Sequence, residues 1–155
     1  MILLKLILAH LIGDFLLQPK LWVNDKEAKK LKSARLYIHL FIHAVLIVLL
    51  LWDISYWLLA IIIALLHGVV DVIKLYRQKP STRPAWFLID QCLHLIIILV
   101  VYICWFQPEL IVFQILDEKY LWVYATALLF VTVVSGIIIQ VFMQKWSVKF
   151  QEKEP

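Results

Sequence analysis

Four apolar stretches of this chain each carry a pair of ionisable residues four positions apart: His10/Asp14, His39/His43, His67/Asp71 and Asp90/His94. Four positions along a helix is a rotation of about 40°, so the members of each pair share a face, one turn apart. The pairs use all five histidines and every aspartate that falls inside an apolar run. Such residues are costly against hydrocarbon and functional by default. Any fold of this chain therefore has to turn four polar helix faces towards one another.

The stretches are membrane spans. Of the 155 residues, 64% are hydrophobic and 17% charged, with mean hydropathy +0.90, against about 45–50% apolar in soluble domains. Three glycines, and five prolines at or beyond the edges of the runs, predict uninterrupted helices and short loops. Apolar continuity of this kind excludes a transmembrane barrel, whose strands alternate. Cys92 and Cys104 sit in one apolar run and read as small buried hydrophobes rather than a disulfide or ligand pair. The net charge of +4 lies in loops and tail without interleaved stacking aromatics, which gives no case for nucleic acid.

The expected architecture is all-α: one bundle over residues 1–146, followed by a polar tail over 147–155. The start resembles a signal peptide, but it lacks a small-residue cleavage site and carries His10, Asp14 and Gln18 in its apolar body. It reads as a retained first helix over about 2–18, stopped by Pro19. Residues 20–36 form a charged connector, and two readings fit it: a short interfacial helix using Trp22, Val23, Leu31 and Leu36, or a solvated loop. Further helices are expected over about 36–52, 56–76, 85–106 and 120–146. The fifth has Thr126, Thr132, Ser135, Gly136 and Gln140 as packing residues and backbone bonders. Basic residues concentrate in the connectors at 20–36 and 77–84 and in the tail. By the positive-inside rule these are cytoplasmic, which puts the N-terminus outside, the C-terminus inside, and all four pairs in the cytoplasmic half.

Imidazole with carboxylate suits zinc, iron or manganese, and the absence of thiolate ligands argues against a soft metal. His10, Asp14, His39, His43, His67, Asp71, Asp90 and His94 are the candidate ligands, more than one catalytic zinc needs. The site thus holds either two divalent ions or one ion whose imidazoles are held by further carboxylates. Asp14, Asp71 and Asp90 are the candidate catalytic carboxylates, since one that is not a ligand can serve as general base. Lys74, seven residues after His67, either contacts an anionic headgroup or snorkels at the helix end. Gln18 and Gln91 are candidate donors to the ligands.

The motifs H-L-I-G-D-F-L-L-Q at 10–18, H-x-x-x-H at 39–43, H-x-x-x-D-x-x-K at 67–74 and D-Q-x-x-H at 90–94 resemble the bacterial membrane-protein family known as domain of unknown function 3307, over roughly residues 1–106. The resemblance implies a multi-pass protein of the bacterial inner (plasma) membrane and carries no activity with it. The style of the motifs is also similar to membrane-bound metal-dependent hydrolases and to the alkaline ceramidase-like superfamily, an analogy of chemistry alone. The expected function is a metal-dependent hydrolase, zinc being favoured, that acts on a lipid or lipid-linked substrate from the cytoplasmic side of the bilayer. Ion or proton translocation through the same residues is the alternative. Structural interhelical hydrogen bonding and haem ligation also stay open, although haem leaves the aspartates without a role.

Overall fold

The structure is a computed structural model that describes residues 1–107, 120–141 and 143. Among the described residues it is all-helical, without strands. Helix α1 (Ile2–Leu11) runs directly into a π-helical turn, Ile12–Leu16. The extended backbone of Pro19 then starts α2 (Lys20–Lys29), which lies at 85° to the first segment and ends in a tight turn, Lys30–Lys32. After Ser33 come α3 (Ala34–Leu51), α4 (Trp57–Arg77) and α5 (Arg83–Phe106). The last described helix, α6 (Tyr120–Leu129), passes through a second π turn, Phe130–Val134, and continues to residue 141. The expected loop at 107–119 beyond Gln107, the end of the last helix near 146 and the tail lie outside the described residues.

Four of these helices are long and apolar enough to cross a membrane, and five if the bent first pair counts as one span. The first segment is the exception for a simple reason. Its ten α-helical residues and five π-helical residues fall short of the roughly 17 that a bilayer usually requires.

The turns follow from local chemistry. Asp53 Oδ1 accepts the Ser55 backbone N–H at 2.8 Å, a bond that also holds the Asp53 carboxyl below its usual range, and this closes the turn between α3 and α4. Pro84 sits in the first turn of α5, where a missing N–H is tolerated. Much of the connector at 20–36 is the helix α2, as one of the two sequence readings had it, yet the buried residue of α2 is Lys26 rather than Trp22 or Val23.

α3 packs against α1 and α4, α4 against α5, and α1 against both α5 and α6. Because α1, α3, α4 and α5 alternate in direction, each runs from an apolar end to a polar one, or back. At the apolar end, Leu6, Ala9, Ile47, Leu51, Leu59, Ala60, Ile63 and Ile98 form one buried cluster. At the other end the buried set includes His10, His39, His43, His67, Asp71, Asp90 and His94. Cys92 and Cys104 are exposed on the outside of the bundle, not buried as expected. Among the described residues nothing lies within 4 Å of a Cβ at Gly136, so none of them packs on this glycine, while Thr126, Thr132 and Ser135 bond carbonyls of their own helix.

Candidate metal centre

The centre is organised on Asp14, which stands in the π turn. Here Leu17 N–H reaches back to Ile12 O at 3.0 Å, five residues instead of four, and single π turns recur at functional sites. Gly13 explains why the turn fits. A Cβ at Gly13 would lie 2.4–2.9 Å from three atoms of the His43 imidazole, so only a residue without a side chain lets that ring lie flat against the first helix. The wider turn shifts Asp14 from ideal α-helical register, and both His10 and Asp14 still face the centre.

The two oxygens of Asp14 look in different directions. Oδ1 lies 3.1 Å from His39 Nε2, 3.1 Å from His43 Nε2 and 3.5 Å from His67 Nε2. Oδ2 accepts from Gln91 Nε2 at 3.0 Å and lies 3.9 Å from His10 Nδ1 and 4.0 Å from His94 Nδ1. Five imidazoles from four helices thus surround one carboxylate. His39 Nε2 and His67 Nε2 are themselves 3.1 Å apart. Two ring nitrogens at that distance cannot both present a proton; one accepts from the other, or both face a shared cation.

The remaining carboxylates are each tied to a lysine. Lys26 Nζ donates to Asp71 Oδ2 at 2.7 Å, and Lys74 Nζ donates to Asp90 Oδ2 at 2.7 Å. Lys74 therefore turns inward, over the Phe87 ring at 5.8 Å, and does not snorkel away from the bundle. Gln18 donates to His39 Nε2 at 2.8 Å, and Gln91 lies 3.2 Å from His10 Nε2. Every candidate site residue of the sequence, Lys74 and both glutamines included, belongs to this one cluster. Lys26 is the residue that the sequence reading missed. The signal for it was charge: three aspartates on apolar helices were matched there by one lysine, and an unbalanced buried carboxylate needs a partner.

Can the cluster hold an ion? Among the described residues three sets have ligand atoms that all lie within 4.8 Å of one another: His10, Asp14, His43 and His67; His39, His67 and Asp71; and Asp14, Asp90 and His94. Zinc–nitrogen and zinc–oxygen bonds of about 2.0–2.2 Å put tetrahedral co-ligands about 3.3–3.6 Å apart; His43 Nε2 and His67 Nε2 stand 3.1 and 3.5 Å from Asp14 Oδ1, and His10 Nδ1 stands 3.9 Å from Asp14 Oδ2. Among the described residues His10 Nδ1, His94 Nδ1 and Asp90 Oδ1 are buried without a hydrogen-bond partner. Buried polar atoms left unpaired in this way cost about 1–3 kcal/mol each, and the two imidazole nitrogens stand 3.9 and 4.0 Å from Asp14 Oδ2. A void of about 10 Å³ is lined by His10, His43, His67 and His94 above Leu6, Ile47, Ile63 and Ile98, room for one water-sized body.

On the other side the centre adjoins a cavity of about 320 Å³. Asp14, Asp71, Lys74, Asp90 and Gln91 stand in its wall. It opens at the polar end of the bundle, where α2 crosses.

Comparison with known proteins gives one family: the model described as protein of unknown function (DUF3307) matches residues 2–123. The match spans all four His/Asp pairs and both lysines of the centre. No curated protein and no solved structure matches the chain.

Proposed function

Because the chain belongs to the DUF3307 family, whose description names no reaction, we propose a function from the centre itself. It is an integral-membrane hydrolase of five spans, N-terminus outside and C-terminus cytoplasmic. It holds one divalent ion, zinc by its donor set, and acts on a lipid or lipid-linked substrate from the cytoplasmic side. The observation that carries the reading is the convergence of His10, His43 and His67 on Asp14, with His10 Nδ1 buried and unpaired beside it.

Charge favours one ion over two. Asp14, Asp71 and Asp90 are opposed by Lys26 and Lys74, a net of one negative charge with neutral imidazoles. One divalent ion leaves a single positive charge in a low-dielectric setting, and a second would leave three. The ligands proposed are His10, Asp14, His43 and His67. His39 with Asp71, and His94 with Asp90, flank them and hold their orientation.

A divalent ion in such a site lowers the pKa of bound water to about 7 and polarises a carbonyl or phosphoryl oxygen. The chain's own groups do the rest. Asp90, with Oδ1 unpaired and a place in the cavity wall, is the general base that takes the proton of the attacking water. Lys74 keeps two further N–H donors beyond its bond to Asp90 and binds the anionic group of the substrate. Asp71 stays charged through Lys26 and steadies His39 and His67.

A proton relay is the second reading, favoured by the close ring row His94, His67 and His43, with centroids 3.9 and 4.0 Å apart. The apolar cluster from Leu6 to Ile98 caps that row, which speaks for a closed site over a path through the bundle. The deciding experiment is elemental analysis of detergent-purified protein, wild type against His43→Ala and Asp14→Asn, with lipid-ester hydrolysis measured before and after chelation. One ion per chain, lost in both variants together with the activity, is expected. Wild-type protein without bound metal overturns the reading.

A further inference from the structure

The cavity beside the centre is lined by polar residues and by an apolar set drawn from the first π turn, α5 and the segment beyond the second π turn. Its polar part includes Asp14, Asp71, Lys74, Arg83, Asp90 and Gln91, with Gln140 standing among the apolar residues of the last helix. Its apolar part is Phe15 beside the π turn, Pro84 and Phe87 on α5, and Ile137 and Val141 beyond the second π turn. α6 packs along α1, and the lining draws on both α5 and the segment that continues α6. Phe15 and Phe87 meet edge to face there, with centroids 6.2 Å apart.

The volume fixes what can enter. About 320 Å³ lies at the lower end of small-ligand pockets, roughly 300–1,000 Å³, enough for a headgroup and too little for acyl or prenyl chains. A tail must lie outside, along the seam bordered by Phe87, Ile137 and Val141. Charge fixes the headgroup. Lys20, Lys74 and Arg83 line the cavity with Asp14, Glu27, Asp71 and Asp90, and Lys26 on Asp71 brings these groups to neutrality. One divalent ion then makes the site positive by two, suited to a phosphate. Arg83 spends one donor group on Glu27 and retains others for a planar, forked contact with phosphate oxygens.

We infer that the substrate is a phosphate-bearing lipid, taken in sideways between α5 and α6 with its phosphate towards Lys74 and Arg83. This rests on the proposed metal centre for its positive charge, and it is tested apart from catalysis.

The test is native mass spectrometry of the full chain in detergent, titrated with dioleoyl phosphatidic acid, with dioleoyl phosphatidylcholine or with inorganic phosphate, while metal content is measured in parallel. One phosphatidic acid per chain is expected, held at least tenfold more tightly than phosphatidylcholine. Arg83→Gln should weaken it about tenfold. Ile137→Trp, which fills the seam, should weaken it similarly with metal content unchanged, and Ile137→Ala should bind as wild type. Equal binding of inorganic phosphate with no effect of Ile137→Trp means that a free anion is the ligand and overturns the lateral lipid site. No preference for phosphatidic acid in metal-loaded protein overturns it as well. Protein that carries no metal yet binds phosphatidic acid at the seam sinks the hydrolase and leaves the lipid site standing.

Discussion

Lys26 Nζ meets Asp71 Oδ2 at 2.7 Å across 45 positions of sequence, and both side chains are buried. The lysine comes from α2, a helix of predominantly polar sequence that lies across the polar end of the bundle. Three further bonds hold that helix: Lys30 Nζ to the Leu75 carbonyl at 2.6 Å, Gln78 Nε2 to Glu27 at 3.0 Å, and the Arg83–Glu27 ion pair. The cover over the centre is thus fastened to α4 and α5 by ion pairs and hydrogen bonds.

Removing that lysine should be costly. Lys26→Met leaves the Asp71 carboxylate buried without its cation, and breaking one side of a buried pair costs about 3–5 kcal/mol. The double variant Lys26→Met/Asp71→Asn should recover most of the loss. Thermal unfolding in detergent measures both; a single variant as stable as wild type would show that the pair contributes little.

The glycines separate cleanly. Gly13→Ala pushes a Cβ into the His43 ring, and overpacking of this kind costs about 1–3 kcal/mol. Bound metal should fall with it, because His43 moves away from Asp14. Gly136→Ala meets nothing within 4 Å among the described residues and should be neutral or slightly stabilising, since alanine is the better helix former. Melting temperature and metal content of the two variants provide the comparison.

The ligand assignment makes a graded prediction. His10→Ala, His43→Ala and His67→Ala should each leave less than about a tenth of the wild-type metal, whereas loss of a group that only orients a ligand costs about 10–100-fold in affinity. His94→Ala should therefore still load at high metal concentration. Titration with zinc followed by elemental analysis distinguishes these, and identical losses at all positions would argue for a ligand set wider than four.

Orientation in the bilayer is open to a direct check. On a Cys92→Ser/Cys104→Ser background, a cysteine at Ser81 should react with an impermeant maleimide only from the cytoplasmic side. One at Asp53 should react only from outside. The reverse pattern would invert the topology and move the proposed site to the other leaflet.

Much of this protein was legible in the residues alone, and the reason is the bilayer. In hydrocarbon a helix must be continuous and satisfy its own backbone, so the apolar runs read as helices: α3, α4 and α5 lie close to the ranges expected for them. Spacing of four on a helix then put His39 with His43 and His67 with Asp71 on single faces, and the alternation of short loops brought those faces to one end. What spacing cannot convey is which atom meets which. That Asp14 sits in the middle of five imidazoles depends on a π turn whose fit requires Gly13 to lie under His43, a contact between residues 30 positions apart. That Lys26 leaves the charged connector for the interior depends on the sharp turn at Pro19, which carries α2 across the bundle. Local sequence reads a lysine among lysines as solvated; only the packed helices set it against a buried carboxylate. The chain by itself determined the helices and the chemistry they carry, because those follow from periodicity and the cost of polar groups in lipid. The tertiary structure decided the centre of the site and its counter-charges, because these are long-range contacts that no local pattern encodes.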